Sequence, residues 1–209
     1  MKTLLLTSGG MQVKNEILKI LPKLPSEIKL AHIITATNQI PDAPWKNKDK
    51  ASMIEVGFQV EDIDIAGKTE SELENLLKNK DIIYVQGGDP FYLLKQVKDS
   101  GFDKIVKKLI KTGKIYIGVS AGSYLACPTI EMALWKKPDR PRHGLSDRES
   151  CMNLIPFLLS VHYEPQYRIE IQRGIQMTKY PVKILTDDQA LLVKDTKIQL
   201  VGIGNEIIL

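Results

Sequence analysis

The residues best suited to do chemistry surround Ser120, in the segment Gly118-Val119-Ser120-Ala121-Gly122. The apolar run before it predicts a buried strand, and a sharp turn from this strand into a helix would expose the serine hydroxyl above the sheet. The backbone N–H of Ala121 would then face the position where an oxyanion forms. The pattern favours a nucleophilic serine. The alternative is a structural serine with small neighbours in an ordinary tight turn.

A nucleophilic serine requires a general base, and the chain has three histidines. His32 lies inside an apolar, strand-like run, which is typical of a structural residue. His143 lies in a charged, proline-rich loop that is either solvated or part of a lid. His162 ends a predicted strand and is followed by Tyr163-Glu164-Pro165. Because doubly wound folds bind ligands at the carboxyl edge of the parallel sheet, His162 is placed to reach Ser120 there. Its position alone is equally compatible with a structural role.

The acid that would orient this histidine is less clearly marked. Asp187 and Asp188 follow a predicted strand, which places them at a strand end, although aspartate is also a preferred turn residue. Glu131 and Glu164 lie nearer in sequence to Ser120 and His162. The residues alone therefore leave the choice open among two aspartates and two glutamates.

A second oxyanion donor is expected in the turn Gln86-Gly87-Gly88-Asp89-Pro90. This turn follows a buried strand, and it opens a helix with Asp89 as N-cap and Pro90 at the first helical position. Two glycines allow the backbone to approach a ligand closely, although a tight turn alone would also select glycine. Neither this turn nor Ser8-Gly9-Gly10 has the glycine spacing of a dinucleotide or phosphate site.

Apolar strand-like runs alternate with helix-period segments, which predicts an α/β fold with a mostly parallel sheet and helices on both faces. The strands are predicted over residues 3–7, 29–35, 59–65, 81–86 and 114–119. The helices are predicted over residues 13–21, 48–56, 70–78 and 92–112, the last split at Ser100-Gly101. The C-terminal part is predicted to contain a strand over 158–162, a helix over 166–178 and strands over 182–185, 190–194 and 198–203.

Length and composition restrict the class of protein. The chain has 209 residues, of which 43% are hydrophobic and 26% charged, and we expect one globular domain over residues 1–209. The net charge of +4, without a dense basic patch, gives no case for nucleic acid. We expect no membrane partner and, because the N-terminus does not resemble a secretory signal, a cytoplasmic location. Cys127 and Cys151 form neither a disulfide framework nor a metal-ligand spacing.

Three segments in this order resemble the dipeptidase E family of serine peptidases, the aspartyl dipeptidases related to cyanophycinase. Residues 86–94 are similar to the family's G-G-[ND]-x-x-x-L-L segment, and residues 118–123 with 127–130 to its G-x-S-A-G-A/S block. Val161-His162-Tyr163, followed by Arg168, is similar to its catalytic-histidine region. The resemblance covers most of the chain.

The resemblance implies a three-layer α/β sandwich like that of class I glutamine amidotransferases, which is flavodoxin-like. It implies Ser120 as nucleophile, His162 as general base and acid, and the N–H groups of Gly88 and Ala121 as the oxyanion hole. Asp187 stands where the family commonly has a glutamate, and we expect it to complete the triad. No cofactor and no metal is implied, and the chain is expected to act on a small peptide as a monomer or homodimer.

The resemblance also suggests a substrate with N-terminal aspartate, whose carboxylate would bind an arginine. Arg168 is the expected donor, with the other arginines of this region as alternatives, namely Arg140, Arg142 and Arg173. Residues 129–135 lack the T-x-x-D-M-P-like segment of the aspartyl-specific member. Two other functions remain open: an esterase or amidase on the same elbow, and a catalytically silent binding protein with the same fold.

Overall fold

The computed structural model describes residues 2–209. Its strands are β1 Thr3–Thr7, β2 Lys29–Ile33, β3 Gln59–Ile63, β4 Ile82–Val85, β5 Ile115–Val119, β6 Leu158–Ser160, β7 Val182–Ile184, β8 Gln189–Lys194 and β9 Lys197–Gly202. Its α-helices are α1 Lys14–Leu18, α2 Pro44–Val56, α3 Glu70–Leu77, α4 Pro90–Ser100, α5 Phe102–Lys111, α6 Ala121–Tyr124 and α7 Arg168–Met177.

A seven-stranded sheet forms the centre of the molecule, in the order β3-β2-β4-β5-β1-β8-β9. The first five strands in this order run parallel. Beyond β1, β8 pairs antiparallel with β1, and β9 pairs antiparallel with β8. The central strands are apolar and buried along their whole length, as expected for strands covered on both faces. The predicted mostly parallel sheet is therefore confirmed.

Helices cover both faces of this sheet and produce two apolar clusters. Side chains of α3, α4 and α5 pack on one face, represented by Leu73, Leu94 and Ile105. Side chains of α1 and α2 pack on the other face, represented by Ile17 and Met53. Neighbouring residues of β1 contribute to opposite clusters because side chains alternate along a strand. The three-layer α/β architecture expected from the sequence is confirmed.

The predicted helix over residues 92–112 is two helices, as the Ser100-Gly101 break suggested. Gly101 has a φ of +71°, a left-handed conformation that ends α4, and α5 begins at the next residue. The first of the pair starts at Pro90, as predicted from Asp89 as N-cap and two residues before the helix-period range. The Asp89 side chain accepts hydrogen bonds from two N–H groups of the first turn. The predicted helix over 13–21 is shorter, Lys14–Leu18, and a 3₁₀ turn over Gly10–Val13 precedes it.

The strand before His162 does not join the main sheet, so His162 reaches the carboxyl end of β5 from outside that sheet. Instead β6 pairs in parallel with β7 in a separate two-stranded sheet. β6 cannot pair with β5, because β4 and β1 already pair with its two edges. It cannot pair with β1 either, because β8 pairs with the other edge of β1. The small sheet packs against the main apolar cluster through Leu158 and Leu159.

No helix within residues 2–209 combines the length and the apolar character that crossing a membrane requires.

Candidate active site

Ser120 occupies a strained turn between β5 and α6. Its φ of 49° and ψ of −108° are rare for a residue with a side chain, and such strain is found where the surrounding structure holds the backbone firmly. The flanking glycines are required by close packing. A Cβ atom on Gly118 would lie 2.7 Å from the Gly122 carbonyl oxygen, and one on Gly122 would lie 2.1 Å from the Val85 carbonyl oxygen. The two glycines therefore allow the tight packing of the turn that carries Ser120.

His162 and Asp187 form a continuous hydrogen-bonded chain with Ser120. The Ser120 Oγ lies 2.8 Å from Nε2 of His162, and Nδ1 of the same ring lies 2.6 Å from Oδ1 of Asp187. The parallel pairing of β6 with β7 brings the two partners together, because each of them follows the end of one of these strands. The structure thus brings together the three residues that the resemblance singled out.

The environment of Asp187 favours its ionised form. The hydrogen bond from His162 lowers the pKa of this carboxyl, and the Ser8 hydroxyl, which donates to Oδ1 at 2.6 Å, lowers it further against the opposing effect of burial. An ionised carboxylate accepts a hydrogen bond from Nδ1–H, so Nε2 is the ring nitrogen that can accept a proton from Ser120.

The two competing acids lie elsewhere. Glu131 is buried and bonded to the hydroxyls of Thr129 and Thr178, with Arg148 as its ionic partner. Glu164 is exposed and lies at the rim of the cavity beside Ser120. Of the four acids considered from the sequence, only Asp187 hydrogen-bonds to the His162 ring.

Gly88 and Ala121 face the same cavity as Ser120. A Cβ atom on Gly88 would lie 2.1 Å from the Ala36 carbonyl oxygen, so this position requires glycine. The indole Nε1 of Trp45 donates to the Gly87 carbonyl at 3.4 Å, on the opposite side of the peptide from the Gly88 N–H. Within residues 2–209, neither the Gly88 N–H nor the Ala121 N–H donates to another backbone carbonyl.

The cavity beside Ser120 is small and cationic. Its volume is about 170 Å³, below the ~300–1,000 Å³ of typical drug-sized ligand pockets, so it matches a residue-sized group. Three basic side chains line it, Lys136, Lys137 and Arg140, against the single carboxylate of Glu164. The Nε atom of Arg140 is buried and has no hydrogen-bond partner among the described residues. A buried donor of this kind favours an anionic partner.

Lys136 also contacts the backbone of Val161 and His162. Its Nζ donates to the carbonyl oxygens of Val161 and, at 3.1 Å, of His162, and it lies 5.1 Å from the centre of the Tyr167 ring. Burial lowers the pKa of Lys136 to about 8, and the positive charge of Arg140 adds to this effect. The cavity therefore contains an ammonium group that titrates close to neutral pH.

Arg168, the arginine expected to bind substrate, does not line the cavity. It is exposed at the first residue of α7. The arginine that the structure places there is Arg140, which the sequence named as an alternative. The loop that carries Arg140 contributes Lys136 and Lys137 as well, so this loop supplies the cationic wall of the cavity.

Sequence reasoning missed Ser8, Lys136 and Lys137. Ser8 directly follows β1, and its hydroxyl accepts from the His162 N–H as well as donating to Asp187. A signal existed for it, because β1 was predicted and its carboxyl end lies beside that of β5. The two lysines were read only as part of a charged loop.

The other two histidines lie outside the hydrogen-bonded chain. His32 is fully buried, and its ring nitrogens lie 2.9 Å from Asp62 Oδ1 and 2.9 Å from Gln86 Oε1. His143 Nε2 lies 3.2 Å from Asp89 Oδ2. Within residues 2–209, no cluster of three or more His, Cys, Asp or Glu side chains could hold a metal ion.

Residues 4–201 match the model of peptidase family S51. The chain belongs to this family. It is therefore a peptidase, of a family of serine peptidases, and the recognition made from the three motifs is confirmed.

Relatives of this S51 peptidase support the assignment. An uncharacterized peptidase of Listeria monocytogenes is 30% identical over 186 residues, which cover 88% of each chain. Peptidase E of Escherichia coli is 36% identical over 89 residues, which cover 42% of this chain and 36% of that protein. A crystal structure of a candidate peptidase E from Listeria monocytogenes has a TM-score of 0.86 and 26% identity, covering 98% of this chain and 100% of that one.

Proposed function

We propose that this S51 peptidase hydrolyses dipeptides or short peptides through an acyl-enzyme formed on Ser120. The single observation that carries the proposal is the hydrogen-bonded chain from Ser120 through His162 to Asp187, with bonds of 2.8 and 2.6 Å. Three residues of these types in this order match the nucleophile, base and orienting acid of serine hydrolysis.

In the first half of the reaction, Ser120 Oγ forms a bond to the scissile carbonyl carbon while its proton passes to Nε2 of His162. The carbonyl π electrons move to the oxygen, which becomes an oxyanion. Asp187 stays ionised and stabilises the imidazolium through Nδ1–H. When the C–N bond breaks, the leaving amine takes the proton from Nε2, and an ester on Ser120 remains.

In the second half, His162 Nε2 takes a proton from water as the water oxygen attacks the ester carbon. The C–O bond to Ser120 breaks, and the serine oxygen recovers its proton from His162. The acid product leaves, and the enzyme returns to its starting state. The proposal needs no cofactor or metal in this cycle.

The oxyanion would bind to the N–H groups of Gly88 and Ala121. Both residues line the cavity with Ser120, and neither N–H donates to a backbone carbonyl within the described part of the chain. Donors held in place before the reaction stabilise the developing charge without reorganisation, and removing one typically costs about 100- to 1,000-fold in rate.

The cationic cavity supports a preference for substrates with an acidic side chain, such as N-terminal aspartate. Arg140 has an unpaired, buried Nε, and Lys136 and Lys137 line the same small space. A guanidinium fork matches a carboxylate, and the cavity volume of about 170 Å³ restricts what can enter beside the nucleophile. A cytoplasmic location and action as a monomer or homodimer belong to the same proposal.

The experiment is a substrate panel of N-terminal Asp, Glu, Asn and Leu dipeptides, longer peptides, and simple esters. We expect hydrolysis of the acidic dipeptides by the wild type and about 1,000-fold or greater loss in Ser120→Ala. Ester hydrolysis without peptide hydrolysis would instead identify an acyl hydrolase. Absence of all turnover together with absence of fluorophosphonate labelling would identify a silent binding protein.

A further inference from the structure

Ser8 lies fully buried at the point where the main sheet meets the small β6–β7 sheet. It directly follows β1, and β1 pairs in parallel with β5 so that Thr7 is opposite Val119. The Ser120 N–H donates to the Thr7 carbonyl at 3.0 Å, which fixes Ser8 beside the elbow. Ser8 therefore belongs to the same frame as Ser120.

The hydroxyl of Ser8 connects this frame to both partners of Ser120. It donates its single proton to Oδ1 of Asp187 at 2.6 Å and accepts from the backbone N–H of His162 at 2.8 Å. The two bonds are complementary, because an ionised carboxylate can only accept and a backbone N–H can only donate. The same oxygen of Asp187 accepts from His162 Nδ1, so Ser8 holds the atom that orients the ring.

The backbone of His162 needs such support. Its φ of 53° lies in the left-handed region, which a residue with a side chain rarely adopts. Its N–H is held by Ser8, and its carbonyl oxygen accepts from Nζ of Lys136 at 3.1 Å. Strained conformations persist where neighbouring contacts over-determine them, and here these two side chains supply contacts at opposite ends of the residue.

We propose that Ser8 is a positioning residue of the peptidase reaction, which holds the Asp187 carboxylate and the His162 backbone so that Nε2 points at Ser120. This inference rests on the proposed function. Ser8 Oγ also lies 3.3 Å from His162 Nδ1. It touches neither substrate nor the reacting atoms, and it acts through Asp187 and His162. Because small displacements of a reacting group can cost about 100-fold in rate, its loss should reduce kcat and leave binding nearly unchanged.

The test compares Ser8→Ala with a matched control, Ser160→Ala. Ser160 is a buried serine two positions before His162, and its hydroxyl has no hydrogen-bond partner among the described residues. We expect Ser8→Ala to lower kcat about 10- to 100-fold with KM within about twofold, and to slow fluorophosphonate labelling of Ser120 by the same factor. Ser160→Ala should match the wild type. Equal kcat values for Ser8→Ala and the wild type would overturn the inference.

A double-mutant cycle separates positioning from a merely structural effect. In an Asp187→Ala background, Ser8→Ala should cost less than about threefold, because its main partner is already gone. An undiminished loss in that background would overturn the inference. Ser8→Cys, of similar size and with a weaker donor, should lie between the wild type and Ser8→Ala, and it keeps the test valid should the alanine variant fold poorly.

The outcomes for Ser8 and for the proposed function are distinguishable. If Ser120→Ala retained peptide hydrolysis, the proposed function would fail whatever Ser8→Ala does. If Ser120→Ala were inactive while Ser8→Ala hydrolysed peptides at the wild-type rate, the proposed function would stand and only the role of Ser8 would fail.

Discussion

The Nζ of Lys136 donates a 3.1 Å hydrogen bond to the His162 carbonyl oxygen, so one ammonium group contacts the backbone of the proposed base and lines the proposed substrate cavity. Four charged residues act electrostatically on this ammonium group: Arg140, Asp187, Lys137 and Glu164. A change in the protonation of Lys136 would therefore change the charge of the cavity next to the proposed base.

The first prediction concerns pH. Burial and Arg140 lower the pKa of Lys136 to about 8, so this group is cationic below that pH and neutral above it. For dipeptides with N-terminal aspartate, kcat/KM should fall about tenfold between pH 7 and pH 9 as the positive charge is lost. Lys136→Arg should move this decline to higher pH, because arginine stays charged. A decline that is identical in Lys136→Arg, or equally steep for leucine dipeptides, would contradict the assignment.

Ser120→Ala should abolish hydrolysis and leave the fold intact. The variant removes only the hydroxyl, and we expect kcat to fall about 1,000-fold or more. The circular dichroism spectrum and the melting temperature serve as controls for folding. Turnover of the peptide panel within tenfold of the wild type would rule out Ser120 as nucleophile.

Asp187→Asn should lower kcat by about 100- to 10,000-fold. The amide lacks the negative charge that stabilises the imidazolium, and it favours the wrong tautomer of His162. The comparison variants are Glu131→Gln and Glu164→Gln, which we expect to keep kcat within tenfold of the wild type, because neither glutamate hydrogen-bonds to the ring. Steady-state kinetics on all three variants decides the question, and a larger loss in either glutamate variant would identify a different acid.

Arg140→Met should raise KM for N-terminal aspartate dipeptides about 10- to 100-fold and change KM for leucine dipeptides by less than about threefold. The matched control is Arg168→Met, since Arg168 is exposed and does not line the cavity. Steady-state kinetics with both substrates measures the difference. If Arg168→Met showed the larger increase, the expectation from the sequence would be right and the assignment of Arg140 wrong.

Gly122→Ala should destabilise the fold as well as the site. Its Cβ atom would lie 2.1 Å from the Val85 carbonyl oxygen, so the elbow and β4 would have to separate, at a cost of at least about 2 kcal/mol. Gly67→Ala is the comparison: its Cβ atom meets no neighbour within 4 Å, and its φ of +70° alone should cost about 1 kcal/mol. Urea unfolding of both variants measures their free energies of unfolding, and we expect the lower value for Gly122→Ala. Equal free energies of unfolding would contradict this expectation.

The chemistry of Ser120 and His162 could be predicted because each lies in a local pattern: a glycine-flanked turn after an apolar strand, and a histidine at a strand end. Asp187 remained one of four acids because its contact with the ring depends on the pairing of β6 with β7, which no local pattern encodes. Lys136 and Lys137 were missed as cavity residues, and Arg140 was named only as an alternative to Arg168, because their loop has no periodic pattern. Ser8 was missed because 154 residues separate it from His162.

The pairing of β6 with β7 apart from the main sheet divides the site between two hydrogen-bonded frames. Ser120 and Gly88 follow strands of the large sheet, His162 follows β6 of the small sheet, and Asp187 lies in the turn that leads from β7 into β8 of the large sheet. The distance between Ser120 and His162 therefore depends on how the two sheets pack together, and it is not set by the register of a single sheet. Substitutions within either sheet can preserve the strands of that sheet and still abolish turnover by shifting one sheet relative to the other. In diverging S51 peptidases, substitutions that compensate for such shifts should therefore concentrate where the two sheets meet.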